Sequence, residues 1–278
     1  MTYRTIVVHL GADERRRERL EIACGLAAAY DSHLVGLFAL GELLVPFALG
    51  GNAGAVIELE SRWRDEVAGE ARRDFDAAAA RAGIQKTEWR RSERSLLSAT
   101  RLSARYADLV VVGQPDPERA AEERIPGTFV EELVLSAGRP VLVVPYAGRF
   151  PRLGTRVLVA WNASREAARA LTDALPLLRR AGSVEVVAFE PQRAGADHGA
   201  EPGADIALYL ARHGVKVSAA RQQAGIDVGS QILSRAADSD ADLIVMGAYG
   251  HSRAREIVLG GATRSLLQAM TVPVLMAH

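Results

Sequence analysis

The chain has 278 residues, of which 49% are hydrophobic and 24% charged, with Lys+Arg and Asp+Glu balanced at 34 each. That length suits two domains of about 140 residues. Zero net charge argues against a sequence-independent nucleic-acid binder, which needs a basic surplus to displace counterions.

The first residues, MTYRTIVVHLGADERRR, lack a basic start, a long apolar run and a small-residue cleavage site. No window reaches the roughly 18 apolar residues of a membrane span. A cytoplasmic protein with no membrane partner is expected. One cysteine, Cys24, cannot form an intrachain disulfide, and its setting in RLEIACGLAAAY reads as helix core.

Taken in chain order, the first half alternates short branched runs with helical ones. The pattern predicts strand 4–10, helix 14–30, strand 33–39, helix 57–82, strand 84–90, helix 94–106, strand 108–112, helix 127–137 and strand 140–144. Between the second strand and its helix lies GELLVPFALGGNAGAV (41–56), where Leu43, Leu44, Val45, Phe47, Ala48 and Leu49 form an apolar run. It either packs over its own sheet or presents a patch to a partner or apolar ligand. YAGRFPRLG (146–154) has the Gly and Pro punctuation of a linker, giving domains 1–148 and 154–278.

The second half repeats the first. ADLVVVG (107–113) returns as ADLIVMG (241–247), RTIVVHL (4–10) as TRVLVAW (155–161), and RPVLVVP (139–145) as VPVLMAH (272–278). Ser164 is placed to cap the helix that follows RVLVAW, and Gly182 falls just past its end. Alternating β and α elements predict α/β architecture: two tandem, doubly wound, five-stranded parallel sheets of flavodoxin-like type.

The stretch GAYGHSRAREIVLGGATRSLL (247–267) is the candidate site. Ligands of open α/β sheets sit at the carboxyl ends of strands. Gly247 ends a strand there, Gly250 follows, and Gly260 and Gly261 open the next helix. A helix start offers free N–H groups to an anion, and glycines let backbone approach closely. Thr263 adds a hydroxyl; His251, Arg253 and Arg255 are candidate cations. GxxxxGK[ST] and GxGxxG are both absent, which sets aside P-loop and dinucleotide-fingerprint chemistry. The six histidines are scattered, and no nucleophile–base–acid constellation is present. An enzyme is not expected beyond slow ATP hydrolysis.

The spacing Gly247-x2-Gly250-x9-Gly260 between an apolar strand and a helix resembles the nucleotide-binding signature of the universal stress protein family, G-x2-G-x9-G-[S/T]. The element order of both halves is similar to that family too, so the chain looks like a tandem member. The resemblance implies a stress-response regulator that binds ATP, ADP or AMP, with or without Mg²⁺, in its C-terminal domain. It places the family's Asp after the first strand on Asn162, its strand-two base contact on Phe189, and its terminal Ser/Thr on Gly261. Gly247, Gly250, Gly260 and Thr263 match, and Ala160, Met246, His251 and Ala262 complete the implied set.

The first half departs from the motif. Gly11 stands at the Asp position, with Asp13 two residues on. Gly113, Gly127 and Thr128 persist, but Asp116, Glu118, Glu122 and Glu123 bring negative charge where phosphate would lie. Its expected role is to complete a dimer-like pair. A homodimer and an unidentified protein partner are further expectations. The alternative to nucleotide binding is a scaffold or apolar-ligand-binding protein acting through protein–protein contacts.

Overall fold

The computed structural model describes residues 2–42, 53–190, 203–223, 227–250 and 261–278. The run 43–49 therefore lies outside the described residues. The chain parts into two compact units: Arg4–Leu133, and Met1–Tyr3 with Val134–His278.

The first unit contains β1 (Thr5–Leu10), α1 (Arg16–Tyr30), β2 (His33–Phe38), α2 (Ala53–Arg81), β3 (Thr87–Arg91), α3 (Leu96–Ala104), β4 (Leu109–Gly113) and the short α4 (Ala120–Glu123). α5 (Phe129–Ala137) runs from it into the second unit. There follow β5 (Val141–Val144), β6 (Arg156–Trp161), α6 (Arg165–Leu178), β7 (Ser183–Glu190), α7 (Ala204–Arg212), β8 (Val217–Gln223), α8 (Val228–Asp238), β9 (Leu243–Gly247), α9 (Gly261–Ala269) and β10 (Val274–Ala277).

Strand order in the first unit is β3-β2-β1-β4, all parallel. The second has β10-β9-β6-β7-β8 in parallel. β5 pairs with β10 antiparallel, Val143 opposite Val274. The predicted α/β class is therefore found, with one antiparallel pairing that alternation does not foretell. The inner strands are largely apolar because helices cover both faces of a parallel sheet: LVVVG of β4 and VLVV of β5 are wholly buried. Edge strands β3 (TEWRR) and β8 (VSAARQQ) carry polar residues, as exposed edges require.

The element boundaries show which local chemistry wins. Gly83 turns left-handed (φ +69) after α2, and Ile84 N–H returns to Ala79 O at 3.0 Å. Residue 84 therefore finishes a helix, and the strand expected from 84 begins at Thr87. α2 starts earlier than expected, at Ala53, ahead of an i,i+4 pair between Arg64 and Glu60 at 2.8 Å. Ser164 caps α6 as expected, its Oγ accepting Ala167 N–H at 3.1 Å. That helix stops at Leu178, and Gly182 lies beyond, donating its N–H to Thr155 O at 2.8 Å.

The two units share one register. Ile6 lies opposite Leu109 across β1 and β4, and Val157 opposite Leu243 across β6 and β9. In both, the connection reverses direction between these central strands, and ligand crevices of open α/β sheets form there.

Candidate functional site

The β6–α6 turn builds one wall of the crevice. Ala163 adopts a left-handed φ of 57°, uncommon for a residue with a Cβ. It is held on both sides: Asn162 Oδ1 accepts Ser164 N–H at 3.2 Å, and Ser164 caps α6. With its oxygen engaged, the Asn162 amide keeps its N–H groups for the crevice. An aspartate there would offer a second acceptor oxygen and a charge.

The end of β9 builds the opposite wall. A Cβ on Gly247 would meet Ala167 N at 2.3 Å, so this glycine is required by the first turn of α6 pressing on the strand. A Cβ on Gly250 would meet Glu166 Oε2 at 2.6 Å and Ser164 Oγ at 3.1 Å. Tyr249 between them is left-handed (φ 58), and its N–H donates to Thr263 Oγ1 at 3.4 Å. The Glu166 carboxyl lies buried behind this turn. Burial pushes it up, but the Arg165 hydrogen bond, the helix-start N–H and His278 outweigh that and hold it below the usual range.

The floor and roof come from elsewhere. A Cβ on Gly229 of α8 would meet Ala262 O at 2.7 Å, so α8 and α9 cross closely at that point. This brings Val228 and Ile232 beside the start of α9. The resulting cleft has a volume of about 220 Å³. Ala160, Asn162, Phe189 and Met246 line it, as do Gly247, Gly250, Gly261, Ala262 and Thr263. His251, Gly260, Arg253 and Arg255 lie outside the described residues. Trp161, Val228, Ile232 and Tyr249 also line the cleft and are not in the expected set. The cleft is thus apolar on the side of Ala160, Val228, Ile232 and Met246. It is polar at Asn162, Thr263 and the start of α9, where N–H groups lack intrahelical partners. A Cβ on Gly261 would meet nothing within 4 Å, so the space there is open.

At the matching edge of the first unit, side chains occupy the ground. Arg19 is 1% exposed and holds Asp13 through two hydrogen bonds of 2.6 and 2.7 Å. Its Nε donates to His9 O at 3.1 Å, and a Cβ on Gly113 would meet its guanidinium at 2.6 Å. Asp13 therefore turns inward to Arg19. Burial raises its carboxyl, but Arg19 more than offsets this and leaves it below the ordinary value. His9 is buried, and desolvation foremost, with Arg19 second, lowers it from 6.5 to about 4. It is neutral at pH 7, its Nε2 2.9 Å from Ala39 O. Glu123 of α4 is raised from 4.5 to about 7, chiefly by burial and then by Asp13. Cys24 is buried, as expected, with its thiol raised to about 11.

A crevice at the switch point of a doubly wound sheet, apolar on one side and a helix start on the other, lies where open α/β sheets hold small ligands. The sequence profile of the universal stress protein family matches residues 155–278. A tandem arrangement, with this matched domain as its second half, fits the length of the chain. A universal stress protein from Archaeoglobus fulgidus shares the fold over 98% of this chain and 95% of its own, at 18% identity and a TM-score of 0.72. A universal stress protein from Pseudomonas aeruginosa matches over 99% and 93%, at 18% identity and 0.60. A protein of unknown function from Pseudomonas aeruginosa matches over 99% and 92%, at 16% identity and 0.55. A search of curated proteins gives no match. Among the described residues no helix is long and apolar enough to cross a membrane.

Proposed function

We propose that this is a stress-response regulatory protein that binds an adenine nucleotide, ATP or AMP, in its second unit. The observation that carries the reading is convergence: residues from β6, β7, β9 and α9, marked in the sequence for this role, line one cleft. The apolar side suits a purine ring, with Ala160, Ile232 and Met246 against its faces. The Asn162 amide donates to an acceptor on the base or ribose. The start of α9 suits phosphate, and Mg²⁺ would ride on the phosphates, as it does where few protein ligands are offered.

The test begins with the purified, untreated protein, denatured and analysed by chromatography and mass spectrometry, then titrated with Mg-ATP and AMP. One nucleotide per chain is expected. Gly261→Glu places a carboxylate in open space at the helix start and is expected to abolish binding with the thermal melt unchanged. Undiminished affinity in that variant overturns the assignment.

A second reading, action through protein contacts without nucleotide, draws on Ile57 and Leu59, which are 63% and 70% exposed at the start of α2. No bound nucleotide and no binding up to millimolar concentration would favour it.

A further inference from the structure

The second unit has another concavity, at the opposite edge of its strands. It gathers the segment ahead of β6, the α8–β9 turn and the α9–β10 turn, and has a volume of about 250 Å³. Arg149, Arg152 and Arg156 line it beside Asp240 and Asp242, with Phe150 among them.

The charges there are unevenly engaged. Asp242 accepts Thr155 N–H at 2.9 and 3.0 Å and Arg156 N–H at 3.2 Å, so its carboxylate ties down the start of β6. Asp240 takes the Arg156 guanidinium at 2.6 Å. Both carboxylates of the lining are thereby engaged, and the remaining positive charge sits on Arg149 and Arg152, both exposed. A guanidinium fork matches the oxygens of carboxylate and phosphate in pairs and binds them as charge-assisted hydrogen bonds. Phe150, between the two arginines in sequence and half-buried, supplies an apolar face.

We propose that this concavity is a binding site for a small ring-bearing anion, a phosphate or carboxylate held by Arg149 and Arg152 with its ring against Phe150. It is distinct from the nucleotide cleft, because β6 and β9 run from one to the other: Arg156 and Asp242 stand at the start of these strands, Ala160 and Met246 near their ends.

Calorimetric titration of the full chain with phenyl phosphate and, separately, with benzoate tests this. Saturable 1:1 binding of at least one probe is expected, and the stronger of the two names the oxyanion. Arg149→Ala/Arg152→Ala should weaken it by about tenfold or more, the loss of charge-assisted bonds, and Phe150→Ala should weaken it further. Both arginines are exposed, so the thermal melt should not move. Gly261→Glu should leave probe binding intact, which separates this site from the nucleotide cleft. Absence of saturation for both probes, full binding by the double-arginine variant, or loss of binding in Gly261→Glu would each overturn the proposal.

Discussion

The carboxyl edges of β1–β4 and β6–β9 have the same register and opposite contents. Aligning RTIVVHLGADERRRER with TRVLVAWNASREAARA sets His9 against Ala160, Asp13 against Ser164 and Arg19 against Ala170. In the second unit these positions are small, Ala170 is fully buried in the packing of α6, and a cleft remains. In the first unit a histidine and an arginine grow into the corresponding volume, and Asp13 supplies the anion that the arginine needs. The lesson is that side chains can fill such a crevice, provided the filling carries its own counter-charge; the turns differ as well, since the left-handed Ala163 and Tyr249 have no left-handed counterparts in the first unit. A buried guanidinium alone would be prohibitive.

The comparison can be broken most forcefully at Arg19. Arg19→Ala leaves the Asp13 carboxylate buried and alone, and is expected to cost about 3–5 kcal/mol, read by urea unfolding of the first unit. The triple change His9→Ala, Asp13→Ser, Arg19→Ala transplants the residues of the second unit. It removes charge and plug together, so stability should recover relative to Arg19→Ala. An increase from one to two bound nucleotides per chain would show that the plug is what closes the site.

Glu123 gives the next effect. Its folded value, about 7, lies above the unfolded 4.5. Its contribution to stability is therefore full below about 4.5 and is lost as pH rises through about 7. His9 acts in the other sense: its value falls from 6.5 to about 4, so its contribution is full above 6.5 and is lost as pH falls through about 4. Glu123→Gln should raise the urea midpoint at pH 8 and do little at pH 5. An equal shift at both pH values would mean that the carboxylate is not desolvated. The smallest change is Asn162→Asp, which keeps the bond to Ser164 N–H but exchanges the amide donor for an acceptor. Affinity for adenosine or AMP should weaken about fivefold, near 1 kcal/mol for one lost hydrogen bond, by calorimetry.

Much of the fold was legible because the inner strands are short branched runs and because Ser164 marks the start of α6. The repeat of ADLVVVG as ADLIVMG sets the two units in register from the sequence alone. The cleft was legible where it follows the chain locally: the turn after β6, the end of β9 and the first turn of α9. Val228 and Ile232 were not, because they reach the cleft only through the close crossing of α8 and α9 at Gly229. The small residue that permits this crossing gave the one usable signal. The sequence presents Gly247 as bare backbone for a ligand, yet its missing Cβ makes room for α6. The Arg19–Asp13 pair was hidden because a charged residue in a helix's first turns reads as solvent-facing, and only burial shows otherwise.

The antiparallel pairing of β5 with β10 decides where this polypeptide can be divided. β5 belongs by sequence to the first repeat, but by contact it lies in the unit that begins at Val134. A fragment started in the punctuated stretch 146–154 would lack β5 and bare the N–H and C=O groups of Val274–Met276, an edge that recruits another strand. Such a fragment should self-associate through that edge.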